Sequence, residues 1–358
     1  ERSRGLGDVY KRQLADLLGF RRIALLGGVV YGAGLWLASH SETALGLYTY
    51  LGGVVGIGIG LSGMIVVMGA VGQVAPPERR STVFGLVTVA FSIGMFIMAP
   101  LLQYLINLHG WSGALQVAGG LVLIISLLAL GLPGNSSKTE KSTDREAESE
   151  LTLLKTINGA MNHHGYLLLN VGFFVCGFHV AFIGTHLPSF LQAEGISIST
   201  ASWALAMIGL FNMFGSMIFG RMGDSLSKKN LLSLLYTLRA VVIAGFLAIP
   251  LNEITAIAFG AAIGFLWLAT VPLTSGIVAQ VFGTRYLSTL WAIVFFSHQL
   301  GAFLGVWLGG RVYDATGSYT PVWLASIALG LLAGIIHLPI REQPWKPSAL
   351  EPQTSGSD

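Results

Sequence analysis

Leu14-Ala15-Asp16-Leu17-Leu18-Gly19-Phe20-Arg21-Arg22 is a short polar turn placed directly before an apolar run that begins at Ile23. It combines an aspartate, a glycine three residues on and a basic pair. The chain carries it twice. At a distance of 208 residues, Gly220-Arg221-Met222-Gly223-Asp224-Ser225-Leu226-Ser227-Lys228-Lys229 puts Asp224 in the place of Asp16, Ser227 in that of Gly19 and Lys228-Lys229 in that of Phe20-Arg21. Each copy stands between apolar segments. A polar turn repeated at half-chain spacing between membrane spans predicts a duplicated helical bundle.

Composition agrees with spans rather than a soluble core. Hydrophobic residues make up 53% of 358 and charged residues 10%, where soluble domains carry about 25% charged residues. The mean hydropathy is +0.70. The 47 glycines suit closely packed membrane helices. The net charge of +3 is spread over short loops, so nucleic acid is not an expected partner. One cysteine, Cys176, inside an apolar run, excludes an intrachain disulfide and a cysteine metal site.

Runs of about 20 apolar residues, enough to span a bilayer, are expected near 23–40, 46–70, 82–106, 112–132, 166–188, 200–220, 230–250, 254–280, 286–309 and 319–339. That gives ten spans, four before the polar stretch 134–165 and six after it. The expected organisation is a foreign or disordered leader (1–13), an incomplete N-terminal helical half (14–133), a linker (134–165), a six-helix C-terminal half (166–340) and a tail (341–358). Basic residues fall in alternate loops: Arg21-Arg22, Arg79-Arg80, Lys138 to Lys155, Arg221 with Lys228-Lys229, Arg285, and Arg341 with Lys346. The excess of basic residues marks the cytoplasmic side, which puts both polar turns, the linker and the tail there.

Several motifs carry no chemistry in this setting. Gly58-Ile59-Gly60-Leu61-Ser62-Gly63 has dinucleotide-fingerprint spacing but lies mid-span, without the strand that motif needs. With Gly52 and Gly56 it reads as helix packing, as do Gly301, Gly305 and Gly309. Asn135-Ser136-Ser137 is a sequon on the cytoplasmic side. His163-His164 has no further ligand spacing. No metal, cofactor or enzymatic motif is expected.

Polar groups at membrane depth mark pathways or helix contacts. Close to span centres stand His179, Asn212, Arg239 and His298, with Gln299 beside the last and His186 two turns after His179. Each has a plain alternative as an interhelical hydrogen bond. A buried Arg239 needs a carboxylate, backbone carbonyls or an anionic ligand, and no span holds an Asp or Glu to pair it. A coupling carboxylate would then stand on the missing helices; otherwise His179 or His298 could carry a proton, or a carboxylate substrate could bring its own.

The repeated turn resembles the loop between the second and third helices of each half in the major facilitator superfamily, roughly G-x-L-x-D-R-x-G-R-R. Gly172 to Pro188 and Ser297 to Gly305, ending at Gly310 and Tyr313-Asp314-Ala315-Thr316-Gly317-Ser318-Tyr319, resemble the seventh and eleventh helices of bacterial carriers related to monocarboxylate transporters and oxalate–formate exchangers. The resemblance implies an all-α polytopic fold of two pseudo-symmetric six-helix halves, here without the first helix and most of the second. It implies cavity roles for His179, Asn212, His298 and Gln299, leaves Arg239 ambiguous, and gives Asp16, Gly19, Arg21 and Arg22, with Gly220, Arg221, Asp224, Lys228 and Lys229, a cytoplasmic gating role. The alternative for these turns is topology alone, with basic residues fixing orientation and Asp capping a turn. The expected function is secondary transport of small monocarboxylates or related organic anions by alternating access, in the inner (plasma) membrane, with lipid and a small-molecule substrate as partners and protons as an open option for coupling. Export of drugs or amphiphiles on the same fold, and a non-transporting receptor or scaffold, are the alternatives.

Overall fold

The computed structural model describes residues 6–63, 66–67, 70, 80–132, 153–283 and 286–345, and of 6–18, 80–85 and 288 the backbone alone. The first helix, α1 (Leu6–Ser39), bends where the first polar turn ends: Gly19 has φ 77° and ψ 150°, a region essentially restricted to glycine. Residues 6–13 run as helical backbone up to the turn. Next comes α2 (Ala44–Ser62), capped by Thr43, whose Oγ1 accepts from the Gly46 N–H at 3.1 Å, and wound as a π-helix over Tyr48–Val55. Its glycines do not form the single packing face expected. Gly58 abuts the Tyr31 backbone, while Gly52, Gly56 and Gly60 have no neighbour within 4 Å among the described residues.

The helix α3 (Arg80–Ser126) has 47 residues, about 70 Å at 1.5 Å per residue, over twice the hydrocarbon thickness. Gly110, at φ 68° and ψ 176°, breaks it into two arms. The described residues therefore hold nine helical stretches long and apolar enough to cross a membrane, and the longest serves as two crossings, as the sequence spacing requires. Ser112 Oγ–H donates to the Ser39 carbonyl at 2.6 Å, tying the second arm to the end of α1.

The chain forms two compact units that divide within the stretch 134–165, with one further exchange. The N-terminal unit takes in Ile198–Met213, the first part of α6 (Ile198–Ser225). The cause is close packing on α3: a Cβ at Gly209 would lie 2.7 Å from Met95 Cβ and 2.9 Å from the Ser92 carbonyl oxygen.

The C-terminal unit holds α4 (153–161), α5 (His164–Ala193), the rest of α6, α7 (Lys228–Ala248), α8 (Glu253–Phe265), α9 (Thr270–Phe282), α10 (Leu287–Thr316) and α11 (Thr320–His337). The linker is thus helical in its described part. Helices α5 and α10 run together backbone to backbone. Gly177 meets the His298 carbonyl, and Gly301 and Gly305 meet those of Phe174 and Phe178. Without side chains there, van der Waals contact replaces the hydrophobic drive that lipid removes. Helices α8 and α9 are one 30-residue span, Glu253–Phe282, interrupted between Phe265 and Thr270. Pro272 explains the break, since it cannot donate to the Leu268 carbonyl and its ring crowds that turn.

Candidate functional site

The interruption of the α8–α9 span leaves backbone carbonyls without helical partners in a medium that offers no water. Arg239 of α7 answers them. Its side chain is 1% exposed; Nε donates to the Leu266 carbonyl at 3.0 Å, and Nη2 donates to the same oxygen at 2.6 Å and to the Trp267 carbonyl. Nη1 reaches Cys176 Sγ at 3.4 Å, and the guanidinium carbon lies 5.3 Å from the centre of the Tyr236 ring. Cys176 Sγ also lies 3.3 Å from Thr270 Oγ1, at the start of α9. Among the readings open for Arg239, the carbonyl contact is the one realised. Three of its donor contacts go to backbone and one to sulfur.

The histidines divide similarly. His179, 1% exposed, turns toward α11, where its Nε2–H donates to the Ser326 carbonyl at 2.8 Å while Nδ1 has no partner. His186 donates through Nε2–H to the Val306 carbonyl of α10 at 2.9 Å and lies against Phe182 and Tyr319. Both cross-link helices inside the C-terminal unit, so neither is an open cavity ligand in this structure. Asn212, fully buried, donates to Ser92 Oγ at 3.0 Å within the N-terminal unit. His298 stacks on Phe295 with centroids 5.4 Å apart, and its Nδ1–H donates to Gln299 Oε1 at 3.1 Å. Gln299 is the one of the six that is exposed.

At the polar turns, the side chain of Asp16 lies outside the described residues. Arg21 and Arg22 are exposed, and Arg21 Nε donates to the Leu132 carbonyl at 2.9 Å. In the second copy Lys229 Nζ donates to the Leu338 carbonyl at 2.8 Å. These contacts correspond. Lys229 occupies the place of Arg21, and Leu132 and Leu338 each stand just after the last helical segment of their half. In both, a cation meets the negative end of a helix. Lys228 Nζ donates to Gln280 Oε1 at 3.0 Å. Arg221 and Asp224 are exposed, and Gly220 has only ordinary contact with Pro272.

The carboxylate that acts at the second turn is one that sequence reasoning passes over. Glu342 Oε1 accepts from the Lys229 N–H at 2.6 Å and from Ser227 Oγ at 3.4 Å. It thus supplies the anionic cap that Ser227, the N-cap residue of α7, does not. Trp345 follows, its N–H donating to the Val281 carbonyl at 2.7 Å and its ring seated on Gly159. An acid directly after the last span is the signal that could have found Glu342. Nothing in the sequence pattern points to Thr270 or to Cys176 as the meeting point of α5, α7 and α9.

The Major Facilitator Superfamily model matches residues 12–305 and 169–355. The chain belongs to the major facilitator superfamily. It is 28% identical over 351 residues to monocarboxylate transporter 12 of Rattus norvegicus, covering 89% of this chain and 70% of that protein. It is also 28% identical to monocarboxylate transporter 13 of the same organism, over 91% of this chain and 75% of that one. An Escherichia coli K12 protein described as the uncharacterized MFS-type transporter YhjX is 21% identical, over 81% and 71%. Among solved structures, a bacterial homolog of the human lysosomal transporter Spinster, inward-facing and occupied, superposes with a TM-score of 0.67 at 13% identity, over 95% of this chain and 87% of that one. That likeness carries the fold. As a major facilitator transporter, the chain is a multi-span membrane protein that handles a small molecule.

Proposed function

We propose that this transporter moves small monocarboxylates or related organic anions by alternating access, in the plasma membrane, with its basic loops, linker and tail cytoplasmic. The likeness to monocarboxylate transporters 12 and 13 over about nine tenths of the chain carries the reading. It is supported by the absence of buried Asp or Glu among the described residues, which leaves an anionic substrate no carboxylate to repel it at depth. The substrate contact falls to Gln299 and His298. Gln299 is exposed, and its oxygen accepts from His298, which leaves the amide N–H groups as donors available for a carboxylate. His179, His186, Asn212 and Arg239 hold the helices that carry this pair.

The cytoplasmic gate is the paired contact at the polar turns, Arg21 with Leu132 and Lys229 with Leu338, reinforced by Glu342. The deciding experiment is uptake of a labelled monocarboxylate panel into proteoliposomes, with and without Gln299→Ala. Saturable uptake with a raised KM in the variant is the expected result. Uptake of no carboxylate, with lipophilic cations transported instead, overturns the substrate class.

A further inference from the structure

A glutamine amide has two ends of opposite character, a carbonyl acceptor and a pair of N–H donors. Which end it presents depends on what holds the other. Gln299 is exposed on α10, and its Oε1 accepts from His298 Nδ1–H at 3.1 Å. The ring that makes this contact is itself packed by aromatic neighbours. Phe173 of α5, 1% exposed, lies with its centroid 5.0 Å from that of His298. Phe295, one turn earlier on α10, stacks on His298 at 5.4 Å with the planes 6° apart. Trp291 backs them, 5.2 Å from Phe173 and 6.5 Å from Phe295. One turn beyond Phe173 on the same face of α5, Gly177 abuts the His298 carbonyl. Helix α5 thus meets both the ring and the backbone of His298, which is 7% exposed. A ring packed in this way keeps one orientation, and the hydrogen bond at Nδ1 then sets its tautomer.

We propose that Phe173 and Phe295 are positioning residues for the transported anion: by clamping the His298 ring they hold the Gln299 oxygen and present its N–H groups, already ordered, to the substrate. The role in selecting an anion rests on the monocarboxylate reading; the clamp on the ring does not. With the clamp released, the ring turns, the oxygen is freed, and the amide offers donor and acceptor ends alike. Each binding event then bears the cost of ordering a long side chain. The loss falls on affinity, because the two phenyl rings act through His298 and Gln299.

Phe173→Leu keeps the position apolar and removes the flat ring, and uptake of labelled lactate into proteoliposomes reads the result. KM is expected to rise about three- to tenfold, the advantage of pre-ordering one side chain, with the maximal rate little changed. On a Gln299→Ala background the same substitution should add nothing, because its effect passes through that amide. A further rise there overturns the proposal, as does an unchanged KM in Phe173→Leu itself. An equal rise in Phe178→Leu also overturns it, since Phe178 is a buried phenylalanine of α5 that packs on His179 and Phe182 instead. Nitrogen NMR of histidine-labelled protein tests the clamp without substrate, with the His298 signals identified by their loss in His298→Gln. The unsubstituted protein should show one tautomer, protonated at Nδ1, and Phe173→Leu should show both. A single, unchanged tautomer in folded Phe173→Leu overturns the clamp. Where Phe173→Leu does not fold, Phe295→Leu removes the stacked ring and is read in the same way. If lactate enters with neither protein, the monocarboxylate reading fails, and the ring spectra decide the clamp separately.

Discussion

The two polar turns share a sequence pattern and solve the same task with different atoms. In the first, Gly19 takes a positive φ and the chain kinks between two arms of α1; Arg21 then reaches 111 residues along the chain to the Leu132 carbonyl. In the second, Ser227 keeps φ −62° at the N-cap of α7, and Lys229 reaches 109 residues to Leu338. The first spends a glycine on the turn. The second uses an ordinary turn and recruits Glu342 from beyond the last span to neutralise the exposed N–H groups of α7. What repeats is therefore the tie between a basic side chain and the C-terminal carbonyl of the half's last helical segment, while the means of turning the chain varies.

The comparison breaks most sharply at the turn residue. Gly19→Ala forces a side chain into a region that costs of order 1–3 kcal/mol, so the melting temperature in detergent should fall clearly. Ser227→Ala, at the corresponding place, should change it by far less, because Ser227 makes no side-chain cap to its own helix. Equal losses would mean the two turns are not alternative solutions.

Next in size is Glu342→Ala, which removes a helix cap and should cost about 1 kcal/mol. Faster hydrogen exchange should be confined to the first turn of α7, and Glu342→Gln should recover part of the loss. Arg21→Ala and Lys229→Ala should each cost less than about 1 kcal/mol, and the double variant should lose their sum, since the contacts share no atom. Non-additivity in thermal unfolding would instead couple the two ties.

The smallest effect is expected at His163, which caps α5 by accepting from the Tyr166 N–H at 3.3 Å. Burial, and then the neighbouring His164, hold its imidazole below the ordinary value. A lowered folded value means that the cap's contribution is complete above the unfolded pKa, about 6.5, and is lost as pH falls through the folded one. Slight acid loosening of the α5 start, absent in His163→Asn, is what exchange measurements should show.

Much of this architecture is legible in the amino-acid sequence. Apolar run lengths alone require two crossings between Leu86 and Gly131, and Gly110 supplies the turn. The glycine pattern of α10 announces close packing, and Gly301 and Gly305 provide it. The polar residues at depth are recognisable individually, yet their roles are not. Arg239 stays open between backbone carbonyls and an anion in the sequence because the carbonyls of Leu266 and Trp267 are present in every residue and become available only where Pro272 interrupts a helix. His179 and His186 read as cavity ligands because periodicity gives a helix face but not the neighbour that covers it.

The sequence by itself determined that this chain crosses a membrane many times, that its two halves repeat a turn, and which side chains carry polarity into the apolar layer. These follow from hydropathy, length and local pattern, which are properties of contiguous residues. Tertiary structure alone decided who meets whom: Cys176 with Arg239 and Thr270, Lys229 with Leu338, Glu342 with the start of α7, and Ile198–Met213 with α3 rather than with the rest of its own half. The physical reason is that those contacts depend on backbone groups freed at breaks and helix ends and on the close approach glycine permits, and neither is written in any single stretch of the chain.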